Sequence, residues 1–401
     1  MNGFDILLGV IAVGLSGVAM WPTVRKNLWW NATVTPLASI IGSGFLVIAP
    51  LLANVAGAYA VLAMLVIVVL AYIVGQAIRY NIHYSEPLET AHTGPKGLSA
   101  IARASSASLS VAYVISVAFY IRLLASFALS MTPFNAGIYE DLLATAILLT
   151  IALIGWFRGL RGLELVETIA VSIKLSIIVA LLIALFWHNF GTGIWRADLV
   201  AADADIWTRL RKLGGMLLVV QGFETSRYLG ATYPGEMRRK TMWWAQISSG
   251  LIYLAFVALI VPTLVYLPGG RPDETAIIGL SAHVSVVLPY LLIVAALMSQ
   301  LSAGIADTVG AGGLVVEESG GRIIERHAYP ALIAFSIMLI WLFDIFEVIS
   351  IASRTFAFYY MTQAMIALLV ARKNAHWARM TGFGILAVLL AMIVIFALPA
   401  E

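Results

Sequence analysis

The sequence predicts an all-α polytopic membrane protein of about twelve transmembrane helices, ten of which form two five-helix repeats of opposite topology. Three observations carry this. Of 401 residues, 61% are hydrophobic and 11% charged, and the mean hydropathy is +0.96, whereas soluble domains carry about 25% charged residues. Twelve apolar runs are long enough to cross about 30 Å of hydrocarbon. Two of them, five apart in order, are interrupted at mid-depth by polar or helix-weakening residues.

In order, the predicted spans are 5–22, 34–55, 57–80, 100–131, 139–157, 164–188, 211–230, 241–267, 275–310, 328–344, 346–371 and 379–399. The first run, Ile6 to Trp21, follows Met1-Asn2-Gly3-Phe4-Asp5 with no positive n-region. It is therefore expected to be a retained helix rather than a signal peptide. With the N-terminus outside, alternation puts 15 of the 24 basic residues in inner loops and 5 in outer ones, as the positive-inside rule requires. Both termini are then outside the cytoplasmic membrane. The segment 80–97, rich in Pro, Gly, Ser and Thr, is expected as a long turn-rich loop at the inner surface. The outer segment from Trp187 to Leu213, with Trp195 and Trp207, is expected to hold a short interfacial helix. No linker or charge block divides the runs, so a single membrane domain is expected.

The first interruption is Gly42-Ser43-Gly44, inside Thr35 to Pro50. Each glycine weakens a helix by roughly 1 kcal/mol relative to alanine. Unwound backbone at that depth is tolerated only in the protein interior, where its N–H and C=O groups are open to a ligand. The other reading is a small-residue surface for helix packing. The second interruption is Gln221-Gly222-Phe223-Glu224-Thr225-Ser226-Arg227. An offset of five spans is odd, so the halves opened by the two breaks have opposite topology, the arrangement of an inverted repeat.

Lys174 is the sharpest single residue. A lysine at the bilayer centre costs at least ~2.5 kcal/mol, so it is expected to face the interior with a partner. Glu224, beside the second break, is the alternative proton carrier. Asp307 is expected near the inner end of its span, within reach of solvent. Glu167, one turn into its helix, is expected to make a surface or interhelical pair. Arg122, Arg227 and Arg354 are expected as structural pairs or snorkelling heads. The six histidines are dispersed without metal-ligand spacing, and no metal is expected.

The order of features resembles the amino acid–polyamine–organocation (APC) transporters, which share the five-plus-five fold of the sodium-coupled leucine transporters. The matching stretches are Ile40-Ile41-Gly42-Ser43-Gly44-Phe45, Gly94-Pro95-Lys96-Gly97, Glu167 to Lys174, and Gly222-Phe223-Glu224, followed by a Tyr233-Pro234 turn into basic residues. The likeness spans roughly residues 34 to 330. Two features depart from the usual pattern: an extra first helix, and one span rather than two after the ten core helices. The implied division is 1–30 for the extra helix and its connection, 31–190 for the first repeat, 191–373 for the second and 374–401 for an accessory helix.

The resemblance implies a substrate held between the breaks. Ile41, Gly42, Ser43, Gly44 and Phe45 line one side, the amides of the last three facing a carboxylate. Val220, Gln221, Gly222, Phe223 and Glu224 line the other, with carbonyls facing an ammonium and Phe223 covering the site. It also places the Lys174 ammonium where sodium-coupled relatives hold an ion, with partners among the carbonyls from Ala38 to Ile41 and the group Ser302, Asp307 and Thr308. Proton coupling or exchange is then favoured over sodium symport. The expected function is secondary active transport of an amino acid or related solute by alternating access. Amines, inorganic ions, organic acids and a non-transporting sensor are the alternatives. No His-Glu-x-x-His helix, Gly-x-Ser-x-Gly elbow or phosphate loop is present, so neither an enzyme nor ATP-driven pumping is expected, and no cofactor is implied. The basic residues flank membrane spans rather than forming a nucleic-acid patch, so the expected partners are the solute, the proton and the bilayer. A homodimer is left open.

Overall fold

A computed structural model describes residues 3–42, 44–160, 164–195, 205–266 and 274–399. The described residues are built from helices: α1 (Gly3–Ala19), α2 (Leu28–Gly42), α3 (Ile48–Ala56), α4 (Ala60–Tyr80), α5 (Leu98–Leu129), α6 (Gly137–Arg158), α7 (Glu164–Thr192), α8 (Ile206–Gly214), α9 (Gly235–Ile260), α10 (Ala276–Val284), α11 (Leu288–Glu318), α12 (Glu325–Leu342), α13 (Ile345–Lys373) and α14 (Trp377–Phe396). By length and composition, seven helical stretches in these residues suffice to cross a membrane, and two shorter apolar helices lie at Gly3–Ala19 and Arg326–Leu342. The interrupted second and seventh runs are divided, as expected.

Of these seven stretches, the one with the most buried window is the organising one. In α5, 83% of the spanning window lies inside the protein, against 22% in α6 and 17% in α14, so α5 is central and the other two face lipid. Helix α5 packs on α11 and α13; α6 packs on α12; α9 packs on α2 and α4. The neighbouring pairs α5–α6 and α11–α12 recur in the two halves of the chain. The extra helix α1 lies on α7, clasped by Ser285 donating to the buried Asp5 carboxylate at 2.5 Å. Helix α14 lies on α13, and Arg354 closes its far end by donating to the carbonyls of Val394 (2.8 Å) and Ile395 (3.2 Å). Arg354 is thus the structural cap of a helix C-terminus, where a cation also meets the negative end of the dipole.

Three expectations need correction. The segment after the third span is not a long loop: α4 continues through a wide helical turn at Asn81–Ser85 into Glu86–Thr90. Pro87 supplies a reason, since it has no N–H to donate one turn back, and a wider turn removes the demand for that bond. The ninth run is not one span. It splits into α10 and α11 at Ser285, whose backbone is extended. Asp307 is not solvated, because α11 runs on to Glu318 and leaves Asp307 4% exposed. A short helix is present in the expected segment as α8, capped by Asp205; hydrogen bonds from the Thr208 amide and hydroxyl, both 2.9 Å, hold that carboxyl below its usual range.

Four of the basic residues expected on one side meet the segment from Tyr80 to Thr93. Arg238 meets Glu86, Arg239 meets His83, Lys373 reaches the Thr93 carbonyl and Arg379 lies over the Tyr80 ring. At another point on the chain, Arg211, expected on the opposite side, bonds the Phe396 carbonyl at the far end of α14.

Candidate functional site

The two breaks touch. Helix α2 stops at Gly42 and α3 starts at Ile48; between them the Gly44 carbonyl accepts from the amides of Val47 and Ile48, both at 3.1 Å. Ser43 lies outside the described residues. The outer half-helix therefore begins four residues later than Gly44. Its third residue, Pro50, has no N–H, which removes one of the amides a helix start leaves unsatisfied. Across from it, a tight turn at Leu217–Val220 ends before Gly222, and a helical turn resumes at Thr225–Tyr228.

Gly222 is where the two segments meet. Its φ is +118°, and a Cβ there would stand 2.5 Å from Ser39 Oγ and 2.6 Å from the Ser39 carbonyl carbon. Only glycine fits both the backbone angle and the approach. Gly44 is similarly close to Val219, where an added Cβ would be 3.0 Å from Cγ2. The Tyr253 hydroxyl sits 2.9 Å from the Ile40 carbonyl and 2.6 Å from the Val219 carbonyl, so its single proton is shared between the breaks. Phe45 packs on Tyr253 and Phe256 with ring centroids 5.3 and 4.3 Å apart.

A helix that stops inside the protein leaves carbonyls without amide donors. Here side chains supply them. Tyr253 serves Ile40 and Gln300 Nε2 donates to Gly42 at 3.2 Å, while Lys174 adds a bond at 2.5 Å to the Ala38 carbonyl, one residue before the four left open. Lys174 also donates to Ser299 Oγ at 3.3 Å, so its ammonium lies between α2 and α11 and is 4% exposed. The negative end of the α2 dipole favours a cation there. The carbonyl partner falls within the expected Ala38–Ile41 group, while the hydroxyl is Ser299, one turn before Ser302. Thr308 bonds the Gly304 carbonyl of its own helix at 2.6 Å.

At the second break Glu224 is fully buried, its Oε2 accepting from the Gly222 amide (2.9 Å) and the Tyr360 hydroxyl (2.8 Å). Gln221 donates to the Tyr120 hydroxyl at 2.6 Å. Val220 and Phe223 are buried, and the Phe223 ring stacks on Tyr360 at 5.2 Å. Tyr113, Tyr120 and Asp307 are buried as well. Sequence reasoning missed Tyr113, Tyr120, Tyr253, Ser299, Gln300 and Tyr360. Tyr113 and Tyr120 lie seven residues apart, two turns on one helix face, which is the one signal that could have drawn them out.

Three buried acceptors at the breaks, Gln221 Oε1, Glu224 Oε1 and Gln300 Oε1, have no hydrogen-bond partner among the described residues. Turning the Gln221 amide over leaves its N–H2 unpaired instead. Buried polar groups are normally satisfied, so these point to a missing donor. The space is small: the cavity bounded by Gly42, Phe45, Lys174 and Ser299 is about 20 Å³, and one beside Phe223 and Tyr253 is about 10 Å³. That is room for about one water molecule. No solute-sized chamber is open at these two cavities in this conformation.

One side of the breaks is sealed by ion pairs and amides. Arg238, 5% exposed, makes a two-point pair with Glu86 (2.6 and 3.0 Å) and donates to the Arg227 carbonyl at 2.8 Å. Arg227 reaches Glu89 at 3.4 Å and bonds Gln363, which in turn takes Asn81 at 2.9 Å and donates to Ser105 at 2.7 Å. Arg122 pairs with Asp141 at 3.1 Å, as a structural pair.

A family model described as APC superfamily transporter matches residues 22–397. A protein of Aquifex aeolicus (strain VF5) described as uncharacterized is 45% identical over 383 residues, covering 95% of this chain and 93% of that protein. Among solved structures, a Na+-coupled sialic acid symporter in a substrate-bound outward-open state aligns over 100% of this chain and 97% of its own, with a TM-score of 0.53 and 14% identity. A manganese transporter of Eremococcus coleocola, solved as two mutants, aligns over 92% of this chain and 87% of its own with a TM-score of 0.54, at 13% and 12% identity. At such identities the likeness shows the fold.

Proposed function

Because the chain belongs to an APC superfamily transporter family, and is therefore an integral membrane transporter, we propose that it moves an amino acid or a related amine-bearing solute across the cytoplasmic membrane by alternating access. The observation that carries this is the meeting of two broken helices around buried acceptors without donors, Glu224 Oε1 foremost. An ammonium is the donor that a buried carboxylate best accommodates. The glycine-rich break before α3, residues 43 to 45 in the sequence expectation, is the side proposed to receive the carboxylate. The breaks belong to two five-helix repeats of opposite topology, α2 to α7 and the chain from α8 to α13, with α1 and α14 outside them.

Lys174 fills the position between α2 and α11 with a fixed ammonium, so coupling runs through protons or by exchange rather than through sodium. Ser302, Asp307 and Thr308 lie on the same helix as Ser299 and extend this polar path. Transport of an amine without a carboxylate is the second reading, favoured by the unpaired Glu224 oxygen. Both readings put the N- and C-termini outside.

The test is a thermal-unfolding screen of purified protein against amino acids, amines and organic acids, followed by uptake into proteoliposomes. A preferred ligand raises the midpoint with the logarithm of its concentration. An organic acid as the sole stabilising class would reject an ammonium site, and binding without uptake would identify a sensor.

A further inference from the structure

A second, larger cavity lies away from the breaks and shares no lining residue with them. It is about 690 Å³, open to the surroundings, and formed where the end of α4, the start of α9 and the start of α14 converge. Each element contributes cations: Arg79 from α4, Arg239 and Lys240 from α9, Arg379 from α14. Their partners are mostly neutral. Arg79 bonds Gln246 and lies over the Tyr72 ring, Arg239 donates to His83 Nδ1 at 2.9 Å, and Arg379 lies 5.5 Å from the Tyr80 ring centre. One carboxylate, Glu236, pairs with Lys240 at 2.8 Å. Four cations thus face a single hollow, and the carboxylate beside them, Glu236, is engaged by Lys240 and also lies within electrostatic reach of Arg239, so positive charge is in excess there.

The remaining wall is apolar and amphipathic. Trp243 and Trp244, 36% and 47% exposed, meet edge to face at 4.9 Å, with Ile73 and Phe383 beside them. Tryptophan at the headgroup level of a bilayer combines an apolar ring with one polar N–H. Basic residues scattered around a membrane rim would satisfy topology alone. Here they come from three separate helices into one concavity that is open on an apolar side.

We propose that this cavity binds a phosphate-bearing anion, presented as the headgroup of an anionic phospholipid. The guanidinium groups of Arg239 and Arg379 take the phosphate oxygens, and the acyl chains leave along Ile73, Trp243 and Trp244. Guanidinium groups are matched to phosphate geometry, and basic pockets between transmembrane helices hold such headgroups. The site is independent of the transported solute and of the coupling ion, so it stands or falls separately from the transport reading.

The experiment is thermal unfolding of the purified full-length protein with phosphatidylglycerol, phosphatidylcholine or inorganic phosphate added, together with native mass spectrometry of retained lipid. Phosphatidylglycerol raises the midpoint and phosphatidylcholine does not. In Arg239→Gln/Arg379→Gln the same shift needs at least about tenfold more lipid, since each basic residue near a headgroup contributes on the order of 1 kcal/mol. If the double variant does not fold, Arg379→Gln alone, an exposed side chain, gives the same comparison. A shift by inorganic phosphate that the variant also loses keeps the phosphate site but assigns it to a soluble source. Equal shifts in wild type and variant, or equal effects of the two lipids, overturn the proposal.

Discussion

Gly222 and Lys174 are opposite cases of what one residue can reveal. Gly222→Ala forces a Cβ into the Ser39 backbone at a positive φ, so the unfolding midpoint falls by the equivalent of about 1–3 kcal/mol. Gly279→Ala is the control: it sits within α10 with nothing within 4 Å of the added atom, and the midpoint rises slightly. Lys174 was conspicuous in the sequence because an intramembrane charge must have a partner. Lys174→Ala is expected to leave the protein folded while proton-driven uptake falls and its pH dependence changes. Unaltered uptake and pH profile in proteoliposomes would remove the lysine from coupling. Glu224→Gln tests which of the two candidates, Lys174 or Glu224, carries the proton: the amide still accepts from Gly222 and Tyr360 but carries no charge, so retained pH dependence with weakened amine binding assigns Glu224 to the solute.

At the scale of elements, the extension of α4 through residues 81–90 is what a list of apolar runs could not supply. The segment contains Pro87 and several turn formers, and its helical state depends on Glu86 and Glu89 meeting arginines from the second half of the chain. Such pairs join residues about 140 to 150 positions apart and leave no local periodicity. The partly buried Glu86–Arg238 pair is expected to lock one side of the breaks. A double-mutant cycle with Glu86→Gln and Arg238→Ala should give a coupling of about 1–3 kcal/mol in thermal stability. Because the chain has no cysteine, Ser39→Cys would be a single reporter beside both breaks. Its reaction with a thiol reagent added from the side bearing Arg238 rises when the pair is removed; an unchanged rate would mean the network is not a gate.

For the whole molecule, four of the basic residues that alternation assigned to one side, Arg238, Arg239, Lys373 and Arg379, lie against the segment from Tyr80 to Thr93. Reporters fused to the N- and C-termini should both register the non-cytoplasmic side, and a cytoplasmic signal from either would reverse the orientation. Composition, run length and charge alternation were enough to establish a helical membrane protein and to locate the two breaks, because a bilayer imposes its thickness and its intolerance of unpaired polar groups on every span. What surrounds the breaks was decided only in three dimensions. Tyr253 bridging two carbonyls, Ser299 in place of Ser302, the burial of Asp307 and the closure to a water-sized space all depend on how distant helices rotate against one another. Local residue order does not encode that rotation, since hydrogen bonds between helices are satisfied by whichever side chain packing brings within reach.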